Sequence, residues 1–239
     1  MTLLSVEGIR VVLGGVVAVD AVDLDVADAS IVGLIGPNGA GKTTLVNAVS
    51  GYAKPESGSV TLDGVDITGW RPERLLRQGL ARTFQGARLF EGMTVLENVE
   101  VAAMSKHGRR AARRRALAVL EQLDLDSRQS LLAGILGAGE QRLLGLARSL
   151  AAEPRMLMLD EPAAGLNDEE SVALAETLRR LPKEYNLALV VIEHDMGLIM
   201  NLCDEITVLE SGKRLSHGTP AEVRNDPRVI EAYLGKSAA

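Results

Sequence analysis

Residues 31–35, Ile-Val-Gly-Leu-Ile, run without interruption into Gly36-Pro37-Asn38-Gly39-Ala40-Gly41-Lys42-Thr43-Thr44, and no other stretch of the 239-residue chain restricts its fold as strongly. Five consecutive apolar residues bounded by turn formers describe a strand covered on both faces, the kind found in parallel sheets. Residues 36–43 fit G-x-x-x-x-G-K-[ST], and a helix is expected from Lys42 to about Ser50, stopped by Gly51. Strand, glycine-rich turn and helix in that order predict an α/β protein built on a mostly parallel sheet. The loop glycines let backbone N–H groups turn inward at the positive end of the helix, which suits the segment to phosphate. In this reading residues 36–44 hold a nucleotide, Lys42 neutralises its β and γ phosphates, and the Thr43 hydroxyl binds Mg2+.

Ahead of this junction the chain reads as short strands at 3–6, 11–13 and 22–26. The apolar stretch 11–19 has the length of a signal-peptide core, but Gly14-Gly15 splits it. Between residues 85 and 150 the pattern turns helical, with Leu117, Leu120 and Leu123 on one stripe and Leu143, Ala147 and Leu150 on another. Apolar strands return at 156–159 and 187–192. Between them a helix starting near Asn167 is expected to carry Val172, Ala175 and Leu178 inward, so this part adds strand, helix and strand to the parallel sheet. Asn167 with Glu170 forms a capping-box pair, and Thr219-Pro220 with Glu222 and Asp226-Pro227 open two short helices.

Hydrophobic residues at 46% and charged residues at 24% exclude disorder, while 3% aromatics require an aliphatic core. A formal charge of −6 argues against nucleic acid as a partner. Cys203, the lone cysteine, cannot form an intrachain disulfide and reads as a buried small hydrophobe in a reducing compartment. No apolar run approaches the roughly 20 residues needed to cross a bilayer. Within this acidic chain Lys106, Arg109, Arg110, Arg113, Arg114 and Arg115 form a basic run, either a solvated helix face or a surface near an anionic leaflet.

Two further segments carry chemistry. Met156-Leu-Met-Leu-Asp160-Glu161 is an apolar strand ending in two carboxylates, at the edge where open α/β sheets bind ligands. Asp160 is the natural Mg2+ partner, and Glu161, one residue on and projecting elsewhere, suits a general base or an orienter of water. The strand at 187–192 delivers Glu193 and His194 to the same edge, where His194 is expected to contact a γ-phosphate.

Taken in order, 36–43, Gln85, Leu136-Gly-Ala-Gly-Glu-Gln-Arg142, 156–161, 164–167 and His194 resemble the ABC ATPase family over the whole chain. The resemblance implies one P-loop NTPase domain that converts ATP to ADP and phosphate. Residues 1–85 and 151–239 would form the nucleotide core with an N-terminal antiparallel β subdomain, and 86–150 a helical subdomain. It further implies that Gln85 links Mg2+ and the attacking water to transmembrane permease subunits. Gly137, Gly139 and Glu140 belong to the signature that would close on ATP held by a second ATPase subunit, 164–167 would join the two sites, and Leu13 and Val19 would contact adenine. The segments 161–167, 192–196, 218–225 and 233–235 look like ATP-binding subunits of branched-chain amino acid importers, at the inner face of the cell membrane. Lipopolysaccharide-export and urea-import ATPases share much of that tail. Leu13 stands where an aromatic is usual, Gly137 where the signature has serine, Asn167 where the loop has aspartate, and the helical insert is short. Gly137 and Leu13 suggest a regulatory subunit of low turnover, which Lys42, Asp160, Glu161 and His194 oppose.

Overall fold

The computed structural model describes residues 1–84, 86 and 88–234. Its N-terminal sheet contains β1 (Thr2–Leu13), β2 (Val16–Ala27), β4 (Ser57–Leu62) and β5 (Val65–Asp66), all antiparallel, in the order β2-β1-β4-β5. The segments expected separately at 3–6 and 11–13 are one strand with bulges, and Gly8, at φ 56°, sits in one irregularity of the pairing. Gly14 and Gly15, both left-handed, make the hairpin turn into β2 and thereby divide the apolar stretch 11–19 between two strands.

The second sheet has six strands in the order β10-β9-β3-β8-β7-β6. These are β3 (Ile31–Ile35), β6 (Leu80–Arg82), β7 (Met156–Asp160), β8 (Ala188–Ile192), β9 (Glu205–Glu210) and β10 (Lys213–Gly218). All neighbours pair in parallel except β9 with β10. Every residue of β3, β7 and β8 is buried, as their continuous apolar sequence requires. Alternation along these strands sends side chains into two cores. Ile31, Ile35, Leu157, Leu159, Leu189 and Val191 face helices; Val32, Leu34, Met156, Met158 and Val190 face α1 (Lys42–Val49) and the antiparallel sheet.

Helices α3 (Val95–Ala103), α4 (Arg109–Gln122) and α5 (Ala138–Ala151) pack on one another and bury Val99, Ala116, Leu120, Leu144 and Ala147. Leu117 departs from the expected stripe and is exposed, because α4 buries Ala112, Ala116, Val119 and Leu120, about 100° away. In α6 (Asp168–Tyr185) the inward stripe is Leu174, Leu178 and Leu181. Val172 lies two positions from Leu174, roughly opposite on a helix, and points out. The capping pairs Asn167/Glu170 and Thr219/Glu222 form as read, the latter opening α8 (Pro220–Asn225) ahead of α9 (Pro227–Leu234). α2 (Pro72–Gln78) and α7 (Met196–Leu202) complete the chain. An added Cβ on Gly33 would lie 3.0 Å from Cys203 Sγ, so a bare strand position admits the buried thiol, whose pKa burial pushes up to about 12.

Candidate active site

Because β3, β6, β7 and β8 are parallel, their carboxyl ends open at one edge, carrying residues 36–44, Arg82, Asp160 and Glu193-His194 to a common place. Gly36 (φ 148°) passes so close to β9 that a Cβ there would lie 2.1 Å from the Leu209 carbonyl, and one on Gly41 (φ 101°) would lie 2.6 Å from that of Ala18. Only glycine fits both positions. Gly39 is also left-handed but open around it, and Ala40 is buried, its amide bonded to Pro37 O at 3.1 Å. Lys42 is buried and folds back over the loop, donating to the carbonyls of Gly36 (2.7 Å) and Pro37 (3.1 Å). Burial lowers its pKa, opposed by the charges of Glu161 and Asp160. Asn38 and Thr43 are exposed, and Thr44 is half-buried. The phenol of Tyr233 in α9 is held at the Gly36 backbone, and its pKa is raised by burial.

The two carboxylates separate as expected. Glu161 takes φ 49°, a left-handed conformation costing about 1–2 kcal/mol for a side-chain-bearing residue, and its amide bonds Ile192 O at 2.9 Å. That turn leaves Asp160 pointing inward to Arg82, Oδ2 to Nη2 2.7 Å, and brings Glu161 Oε1 to 3.0 Å from His194 Nε2. An acid beside a half-exposed imidazole at the mouth of a phosphate loop can position and deprotonate water. Lys42, Thr43, Asp160, Glu161 and His194 are thus gathered at one edge. Gln85, read as both catalytic and metal-binding, lies outside the described residues.

The structure sets other site residues apart. Leu13 is 50% exposed at the end of β1. Val19 differs from expectation: its side chain is fully buried, 3.4 Å from where a Gly41 Cβ would lie, so it supports the loop from beneath rather than facing a base. Gly137, Gly139 and Glu140 stand at the start of α5, and among the described residues no hydrogen bond or ion pair joins them to 36–44. Glu140 accepts from Arg128 at 2.7 Å and from the Gly137 amide at 3.2 Å, with its pKa lowered, by Arg128 first.

Arg82 went unread in the sequence, and Arg142 and Glu193 were named there without a role. Arg82 holds Asp160; Arg142 donates to Ala164 O at 2.8 Å, tying the signature helix to loop 164–167; and Glu193 accepts from the Ala163 amide at 2.7 Å and the His194 amide at 3.1 Å. Burial raises the Glu193 pKa against those bonds. The available signal was a charged residue at the inner end of an apolar strand, as in Leu80-Ala81-Arg82 and Val191-Ile192-Glu193.

The residues present fit a magnesium nucleotide. Two glycine positions that exclude a Cβ form the cradle, a lysine bonds loop carbonyls in it, and the hydroxyl and carboxylate are hard oxygen donors of the type Mg2+ takes.

A family model described as "ABC transporter" matches residues 19–164, and one described as "Branched-chain amino acid ATP-binding cassette transporter" matches 213–239. The chain is 43% identical over 251 residues to the high-affinity branched-chain amino acid transport ATP-binding protein LivG of Escherichia coli, covering 98% of both. It is 40% identical over 251 residues to BraF of Pseudomonas aeruginosa, a protein of the same description, again over 98% of both. Two solved structures, a nucleotide-free ATP-binding cassette from an ABC transporter and the ADP conformation of the cassette MJ1267, each superpose with TM-score 0.90 at 29% identity, covering 99% of this chain and 100% of theirs. With its phosphate loop, paired acids and histidine at one sheet edge, and relatives matched end to end, this chain belongs to the ABC transporter family, among the ATP-binding cassettes of the branched-chain amino acid group.

Proposed function

We propose that this chain hydrolyses ATP to ADP and phosphate in a pair with a second ATP-binding subunit, powering import of branched-chain amino acids through membrane-embedded permeases. The observation that carries the reading is the Glu161–His194 contact of 3.0 Å beside the buried Lys42. Residues 36–44 would wrap the phosphates, Lys42 leaving its loop carbonyls for the β and γ oxygens, with Leu13 beside the base. Thr43, Asp160 and Gln85 would hold Mg2+, which neutralises phosphate charge when bound. Glu161 would orient water and take its proton, and His194 would hold Glu161 in place and contact the γ-phosphate. Gly137, Gly139 and Glu140 would complete the second subunit's site, so 86–150 acts as a helical unit moving against the core formed by 1–85 and 151–239.

The permease would seat in the cleft beside β6. A groove of about 540 Å³ beside β6 is lined by Phe84, Arg88, Val101, Arg148 and Leu174, between the core and the helical unit. No described helix is long and apolar enough to cross a membrane, so contact with the bilayer's inner face would run through such partners.

Glu161→Gln tests the reading. It removes the proton acceptor while leaving Lys42, Thr43 and Asp160 intact, so ATP binding should persist, turnover should fall by at least a hundredfold, and Mg-ATP should accumulate a dimer visible by light scattering. A variant that stays monomeric and hydrolyses ATP at the wild-type rate defeats the assignment.

A further inference from the structure

Arg82 ends β6 with its guanidinium almost wholly buried, 5% exposed, against an Asp160 side chain 9% exposed. Its planar fork makes three bonds in two directions. Nη2 donates to Asp160 Oδ2 at 2.7 Å, while Nη1 donates to Asn47 Oδ1 at 2.6 Å and Ser50 Oγ at 3.1 Å. Asn47 lies in α1 and Ser50 caps its end, with Ser50 Oγ donating to Val46 O at 2.5 Å. The next residue, Thr83, accepts the Asp160 amide at 3.3 Å, so the end of β6 grips Asp160 by carboxylate and by backbone. Phe84 and Tyr52, edge to face at 5.3 Å, flank the cation at 5.0 and 5.7 Å.

A buried ion pair adds little net stability, because desolvation offsets the attraction. The consequence here is geometric. Thr43 stands at the start of α1 and Asp160 at the end of β7, and one rigid guanidinium spans these two elements. Oδ2 is engaged, and among the described residues Oδ1 accepts no hydrogen bond.

We propose that Arg82 is a positioning residue for the magnesium site: by locking Asp160 to α1 through Oδ2, it fixes the carboxylate relative to the Thr43 hydroxyl and reserves Oδ1 for the cation that accompanies the nucleotide. The proposal rests on the Mg-ATP reading above. Lysine cannot replace arginine, since an ammonium is a point charge without a planar fork.

The test measures binding of a fluorescent ATP analogue to the full chain, first in EDTA and then across a Mg2+ titration. In Arg82→Met, affinity in EDTA should stay within about twofold of wild type while the Mg2+ midpoint rises about tenfold, the usual loss when an outer partner of a metal ligand is removed. Arg82→Lys should shift the midpoint in the same direction by a smaller factor. An unchanged or lower midpoint, or equal losses with and without Mg2+, overturns the proposal. If Arg82→Met does not fold, the double variant Asn47→Ala/Ser50→Ala keeps the ion pair and cuts its anchor to α1; its midpoint must also rise, and an unchanged one is equally fatal. A wild-type chain that binds no ATP in either condition defeats the function itself, whereas Mg2+-dependent binding that Arg82→Met shares unaltered defeats only the role of Arg82.

Discussion

Gly137 separates two explanations of why a glycine opens the signature. Its φ of −65° and ψ of 163° are extended values open to any residue, and an added Cβ would meet only Glu140 Oε2, at 3.9 Å. Backbone conformation therefore does not require glycine there. Serine at this N-cap would accept from the Glu140 amide and add a few tenths of a kcal/mol to stability, while its proton stays free for the γ-phosphate of an opposing subunit. Hydrogen bonds to charged groups contribute about 1.5–3 kcal/mol. Water already supplies part of that bond, so Gly137→Ser should raise turnover by roughly tenfold, and only above the concentration at which subunits pair. Steady-state rates across protein concentration, with melting temperatures, check this; a slower variant of unchanged stability excludes the proposed contact. Gly139 differs, since its Cβ would press within 2.9 Å of Glu170 Oε1 at the cap of α6, the end of a flexible side chain.

Helix ends differ in how their carboxylates are held. Thr219 holds Glu222 by backbone and side chain and lowers its pKa, and Arg228, with Ser216, holds Asp226 far below the ordinary carboxylate range. Depressed folded pKa values contribute stability above the unfolded values, near 4, and lose it as pH falls toward the folded ones. Both residues serve α8 and α9, so acid should loosen this pair first. Hydrogen-exchange protection, corrected for intrinsic rates, should fall as pH drops below about 4 in α8 and α9 before it falls in the core-packed α6; simultaneous loss in all three counts against the mechanism. The elements were legible where local pattern and tertiary environment agree. Continuous apolar runs announced β3, β7 and β8, and caps announced α6, α8 and α9. The three residues of β6 were unreadable because an edge strand ending in a buried arginine carries no periodicity of its own. The inward stripe of α6 was read from i+3 steps at Val172, Ala175 and Leu178, whereas packing selects Leu174, Leu178 and Leu181, a choice that depends on where the neighbouring sheet lies.

Across the whole molecule, the ends of four parallel strands gather the candidate site, and the groove beside β6 is the proposed coupling surface. Residues 36–44, Asp160 and His194 were legible because each lies at the end of an apolar strand; the bonds made by Arg82, Arg142 and Glu193 were not, because their partners lie 22 to 78 residues away in sequence. Val101 is 44% exposed on the groove wall and offers the site no polar group, so Val101→Glu should leave basal ATP turnover of the isolated chain within about twofold, as surface changes of this kind do. With reconstituted permeases, amino acid uptake should fall at least tenfold, because a charge would be desolvated in the interface. Uptake at the wild-type level would move the docking surface elsewhere. The same architecture supplies an optical property. Trp70, the single tryptophan, lies half-buried against the antiparallel sheet with the Arg74 cation 3.3 Å from its ring centroid, and its carbonyl stands 2.3 Å from where a Cβ on Gly51, just past the end of α1, would lie. The protein therefore carries one indole, excitable apart from its three tyrosines, at the far end of the helix whose first residues are proposed to hold phosphate, a label-free reporter of any change around α1.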